Sequence, residues 1–295
     1  SEWRTGNSIS IKTTFSQKRG YDLIFKDAQQ QQQQQIKAIR GFIQQDVNYI
    51  VLAPVVETGW DTVLKEAKKA KIPVIIVDRQ VKVKDDSLYT TWVGADFYQE
   101  GQKACSWMEQ YAERNKKKTL NIVHIMGTEG ATAQIGRTKA LEEAAKKNGW
   151  NILEQQTGAF TQAKSHEVME EYLKKYKDID MVYCENDSEA LGAIEQAGKK
   201  VGTDGIQIIS FDATREGLAE VQNGKIAVDV ECNPDFGKKI EKIIKQLEYK
   251  RDVNKEYYIG DKIYTQNKSI STIEIEKAKW SVTVVTDKIV KERVY

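Results

Sequence analysis

The chain has 295 residues, 40% hydrophobic and 30% charged, which is long enough for two buried cores and too apolar for a disordered or fibrous protein. Its 45 basic and 43 acidic residues leave a net charge of +2 with no concentrated basic tail, so no nucleic-acid partner is expected. No stretch approaches the ~18 apolar residues of a membrane helix, and residues 1–9 are too polar for a signal-peptide core, so a soluble chain, cytosolic or already processed, is expected.

Along the chain, short apolar runs alternate with amphipathic stretches. Apolar runs at 22–25, 49–53 and 74–77 read as strands, with helical spacing over 31–44 and 60–70 between them. The seven glutamines at 29–35 follow Asp27 and lead into Ile36, Ile39 and Ile43, so they read as the polar opening of a helix. A helix over 98–115 is followed by a lysine-rich turn at 115–118 and a strand at 120–126. Helices over 134–148, 166–176, 188–197, 214–222 and 235–247 then alternate with strands at 181–184, 206–211 and 227–231. From residue 252 the pattern loosens, with a strand expected over 281–286 and a polar tail over 287–295.

Short, wholly apolar strands alternating with helices define an α/β protein with parallel sheets covered on both faces. The pattern runs once to about Glu100 and again from Gly101 to Val230, which predicts two doubly wound domains with a ligand cleft between them.

Catalytic frameworks are missing: the sequence has no GxxxxGK[ST], GxGxxG, HExxH or GxSxG. Cys105, Cys184 and Cys232 are far apart and read as small buried residues, and His124 and His166 do not form a cluster. No catalytic residue, metal site or cofactor is expected. Polar residues do recur at strand ends: Asp78 and Arg79, Asn186 and Asp187, and Asp212, with Arg137 following the loop 127–136. An open α/β sheet places its ligand at such ends, although Asp and Asn also serve there as caps and turn residues. Carboxylates, an amide and a guanidinium fork together suit a neutral molecule rich in hydroxyls.

The segments SEWR (1–4), QIKAIRGFI (35–43), APVVETGW (53–60), IPVIIVDR (72–79), the loop 127–137, GAFTQAKSHEVME (158–170), END (185–187) and FDAT (211–214) resemble, in order, those of type I periplasmic sugar-binding proteins. The galactofuranose-binding type is nearest, and the ribose-binding type next. The resemblance implies hydroxyl binding by Asp78 and Arg79 from one domain and by Arg137, Asn186 and Asp212 from the other. It also implies sugar packing by Phe160 and Trp3, a hydroxyl contact from Arg4, and a ligand role for Glu231, with Cys232 in place of a ligand glutamine. Trp3 and Phe160 also read as ordinary core or lip residues. The chain departs from the pattern at Phe97, at Ala140 and Leu141, and over 261–280.

The implied protein is an extracytoplasmic, periplasmic or lipid-anchored, monomeric receptor that closes over a monosaccharide and delivers it to the membrane permease of an ABC importer. The implied lobes are 1–100 with 234–261, and 101–233 with 262–295. The same module serves in membrane sensors such as histidine kinases and in cytosolic repressors. A further strand is expected upstream of Ser1, lying between 21–25 and 49–53, unless a segment such as 281–286 fills that place.

Overall fold

The computed structural model describes residues 2–295. The chain opens with α1 (Glu2–Thr14) and continues through α2 (Gln32–Gln44), β1 (Ile50–Leu52), α3 (Asp61–Lys69), β2 (Val74–Val77) and β3 (Thr91–Gly94). It then runs through α4 (Phe97–Arg114), β4 (Asn121–Met126), α5 (Thr132–Asn148), β5 (Asn151–Thr157), α6 (Gln162–Lys175), β6 (Met181–Cys184) and α7 (Asp187–Ala197). After β7 (Gln207–Asp212), α8 (Arg215–Gln222), β8 (Ile226–Glu231) and α9 (Gly237–Glu248) come β9 (Glu256–Tyr258), β10 (Ile263–Thr265), β11 (Thr272–Ile275), β12 (Ala278–Val284) and α10 (Asp287–Glu292).

The strands sort into two sheets because their β-branched runs are buried on both faces, as all four residues of β2 are. The first sheet has the order β1-β2-β3-β9, parallel throughout. The second has the order β11-β12-β10-β8-β7-β6-β4-β5. Its strands from β5 to β8 are parallel, β10 runs antiparallel to β8, and β11 and β12 close the edge as a hairpin. The chain passes between the sheets three times: after β3, after β8, and between β9 and β10. The crossings form a hinge-like seam.

Three expectations are corrected. Residues 22–25 form no strand: they run irregularly, with Leu23 and Phe25 each 38% exposed, and the sheet ends at β1. Their alternation resembles that of a strand, but no neighbouring backbone is hydrogen-bonded to them as a ladder. Of the strand expected at 281–286, residues 281–284 belong to β12 and lie in the second sheet, so they do not fill the place beside β1. The polar tail carries α10, which packs on α8, and ends in the buried Tyr295.

Candidate ligand-binding site

A cavity of about 1100 Å³ lies between the two sheets and extends along the outer edge of β1, where residues 21–28 face residues 49–53. Eight of the nine residues singled out above line it: Trp3, Arg4, Asp78, Arg79, Arg137, Phe160, Asn186 and Asp212. They come from α1, from the ends of β2 and β7, from α5, from the loop after β5 and from the cap of α7. Parallel strands make this convergence inevitable, because all of them point their carboxyl ends at one crevice.

Asp78 follows β2 with φ +64° and accepts a hydrogen bond from Arg4 Nη2 at 2.5 Å. Trp92 Nε1 donates to the Asp78 carbonyl, and the Asp78 N–H donates to Val93, which together hold this strained turn. Arg79 Nη1 donates to the carbonyl of Val55, and its guanidinium lies 5.1 Å from the Phe160 ring centroid. Burial pulls the Arg79 guanidinium down to about 10, so it stays charged at neutral pH.

On the other wall, Arg137 is 2% exposed. Its Nε and Nη2 donate to Glu100 Oε2 at 2.9 and 2.7 Å, its Nη1 donates to the carbonyl of Glu185, and Asp212 Oδ1 lies 3.6 Å from Nη2. The rings of Phe97 and Phe211 lie at 5.5 and 4.7 Å from the guanidinium carbon. Burial pushes the Asp212 carboxyl up, while Arg137 pulls it back down. Asn186 caps α7 by accepting from the Glu189 N–H at 2.9 Å. Phe160 and Asp212 have φ of +58° and +105°, so three of these eight residues, Asp78 among them, sit in left-handed backbone. Phe160 takes its place because position 127 is glycine: a Cβ there would meet its ring at 2.0 Å.

Trp3 is 5% exposed, and its Nε1 donates to the carbonyl of Cys232. Arg4 Nη1 donates to Asn7 Oδ1, and its guanidinium stacks over Trp3 at 4.7 Å. The ninth residue, Glu231, is absent from the cavity lining. Its Oε1 accepts from Arg293 Nη1 at 2.5 Å and from the Tyr295 hydroxyl at 3.2 Å, while Oε2 accepts from the Lys262 N–H.

Residues that sequence reasoning did not assign to the cavity also line it, including Asn7 on α1 and Phe97 at the start of α4. Asn7 Nδ2 donates to the carbonyl of Pro234, and no spacing in the sequence joins residues so far apart. The two lobes touch across the cleft: the Glu57 N–H donates to the carbonyl of Gly130, and the Gln80 N–H donates to Thr132 Oγ1, both at 2.9 Å.

Two lobes meeting over a polar, partly aromatic cavity, joined by three crossings, define a hinged binding protein of the α/β type. The chain belongs to the periplasmic binding protein domain family, which matches residues 10–271. It is 41% identical over 244 residues to the galactofuranose-binding protein YtfQ of Escherichia coli K12, covering 80% of this chain and 75% of that one. A Mycobacterium smegmatis protein solved with β-D-fucofuranose superposes with a TM-score of 0.86 at 41% identity, covering 91% of this chain and 89% of that one. The binding component of an arabinose ABC transporter from Shewanella sp. ANA-3, solved with α- and β-L-arabinofuranose, gives a TM-score of 0.85 at 40% identity over 91% and 89% of the chains.

Proposed function

We propose that this chain is an extracytoplasmic receptor that captures one monosaccharide, of the galactofuranose or galactose kind, by closing its lobes, and hands it to the permease of an ABC importer. The observation that carries this reading is that Asp78 and Arg79 on one lobe face Arg137, Asn186 and Asp212 on the other across one cavity. The relatives named for furanose sugars point the same way.

Carboxylates accept from sugar hydroxyls, guanidinium groups and the Asn186 amide donate to them, and Phe160 and Trp3 offer flat apolar faces to the ring carbons. Groups from both lobes reach the sugar together only when the cleft is shut, so the ligand shifts the hinge equilibrium toward closure. The units that move are 1–100 with 234–261, and 101–233 with 262–295, in a monomer that acts by binding without turnover.

The test is a thermal-shift and calorimetric screen over galactose, arabinose, glucose and ribose, each equilibrated so that furanose forms are present. A true ligand at 100 times Kd stabilises the protein by ~2.7 kcal/mol with one sugar per chain. No shift with any sugar, or chemical conversion of the sugar by stoichiometric protein, overturns the reading.

A further inference from the structure

Arg137 is held from behind. A guanidinium carries five N–H donors. Nε–H and one Nη2–H go to the same oxygen of Glu100, and one Nη1–H goes to the carbonyl of Glu185. Two donors remain, one on each terminal nitrogen, and Nη2 stands 3.6 Å from Asp212 on the cavity wall. Glu100 therefore selects the edge of the fork that faces the cavity.

Glu100 does this from an unusual place. It lies in the first turn of α4, just past the first crossing between the lobes, and is fully buried. Among the described residues its Oε1 meets no nitrogen or oxygen donor, and only the weakly donating Cys232 thiol faces the carboxylate there. Lys103, one turn further along and 1% exposed, attracts it, and Lys103 in turn lies 3.9 Å from Asp261 on the third crossing. A row of acidic and basic side chains in alternation thus runs from the cavity to the seam: Asp212, Arg137, Glu100, Lys103, Asp261. A fully buried carboxylate is costly to keep, and among the described residues the cation it grips directly is the one facing the cavity.

We propose that Glu100 is a positioning residue for sugar capture: by taking two of the Arg137 donors from the hinge side, it fixes which N–H groups meet the sugar hydroxyls. The proposal rests on the sugar-binding reading. Without the carboxylate, two of the three hydrogen bonds that orient the fork are lost and only the one to the Glu185 carbonyl remains, so the ligand must complete its ordering on binding.

The test uses the intact protein, D-galactose and L-arabinose, and three variants: Glu100→Gln, Arg137→Lys and the double variant. Calorimetry is expected to show Kd for the sugar that binds raised ~10-fold or more by Glu100→Gln, the range for a lost charge-assisted contact. In the Arg137→Lys background the same change shifts Kd by less than about twofold, because sites that act through one contact are not additive. Wild-type affinity in Glu100→Gln, or the full loss repeated on top of Arg137→Lys, overturns the proposal. If Glu100→Gln does not fold, Glu100→Asp keeps the charge but retracts it, and the same loss and the same non-additivity are expected. A sugar-independent readout separates this proposal from the wider one: the Arg137 Nε–H signal in NMR is slow to exchange in ligand-free wild type and is lost in the Glu100 variant. An unchanged signal overturns the positioning role even if sugar binds; a wild type that binds no sugar while the signal behaves as expected overturns the sugar reading instead.

Discussion

Arg4 Nη2 and Asp78 Oδ2 stand 2.5 Å apart, which ties the first turn of α1 to the end of β2 at the cavity wall. Arg79 Nε lies 4.0 Å from the same oxygen, so one carboxylate serves two guanidinium groups. Asp78→Ala removes the acceptor and leaves both cations facing each other in a closed cleft. Sugar affinity is expected to fall ~10- to 100-fold or more, corresponding to ~1–3 kcal/mol for an unpaired group. His166→Ala on α6 is the control, with Kd within about twofold of wild type. Calorimetry decides between them, and equal losses would place the ligand elsewhere.

Asp261 gives the stability of the protein an alkaline limit. Burial pushes its carboxyl up to about 9, with Glu100 adding to the rise and Lys103 opposing it. An unfolded aspartate titrates near ~3.9, so the folded state holds a proton that the unfolded state has lost. That contribution is complete below pH ~3.9 and disappears as pH rises through about 9. Asp261→Asn removes this slope. Thermal melts from pH 6 to pH 10 should show the variant gaining on wild type as pH rises, at ~2–4 °C per kcal/mol for a chain of this size. Parallel curves would contradict it.

Glu241 sets an acid limit of opposite sign. Lys245 at 3.1 Å, Tyr21 at 2.9 Å and Arg19 at 2.8 Å hold its carboxyl down at about 2. Its stabilisation is present above the unfolded value of ~4.3 and is lost as pH falls through about 2. Glu241→Gln should cost ~1 kcal/mol at pH 7, since the lysine and arginine ends are in water. The difference in melting temperature from wild type should narrow below pH ~4.3 and close near pH 2.

Gly6 in α1 faces Tyr295, and a Cβ at position 6 would come within 2.4 Å of the Tyr295 Cβ. An exposed helical glycine replaced by alanine normally gains ~1 kcal/mol. Gly6→Ala should instead destabilise by ~1–3 kcal/mol, the range for overpacking. Adding Tyr295→Gly, which removes the clashing Cβ, should reverse the steric part, leaving the double variant less destabilised than the two single losses added together. Denaturant titrations of the four proteins test this, and strict additivity would show that the contact carries no energy.

Much of this is legible in the amino-acid sequence. Alternation of apolar runs and amphipathic stretches fixed the α/β class and all eight of the helices read from it, because a strand buried on both faces and a helix with one buried face leave different periods in the sequence. Asp78, Asn186 and Asp212 were legible as strand-end residues, since a parallel sheet turns the end of a strand into the wall of a crevice.

Other features depended on the assembled chain. Residues 22–25 have the pattern of a strand and form none, because strand character is realised only when a neighbour pairs with the backbone. β5 escaped notice because it is a polar edge strand, and the β11–β12 hairpin turns through Glu276 and Lys277, both with positive φ, where no Asn-Gly signal announces it. The environment of Glu231 was decided by Arg293 and Tyr295, 62 and 64 residues further along the chain. Glu100 was one carboxylate among 43 until folding buried it against Arg137. The sequence by itself determined which backbone periods exist and which polar residues end the strands, since both are local properties. Which charges meet was decided only by the tertiary structure, because pairing depends on distances that the chain closes across lobes.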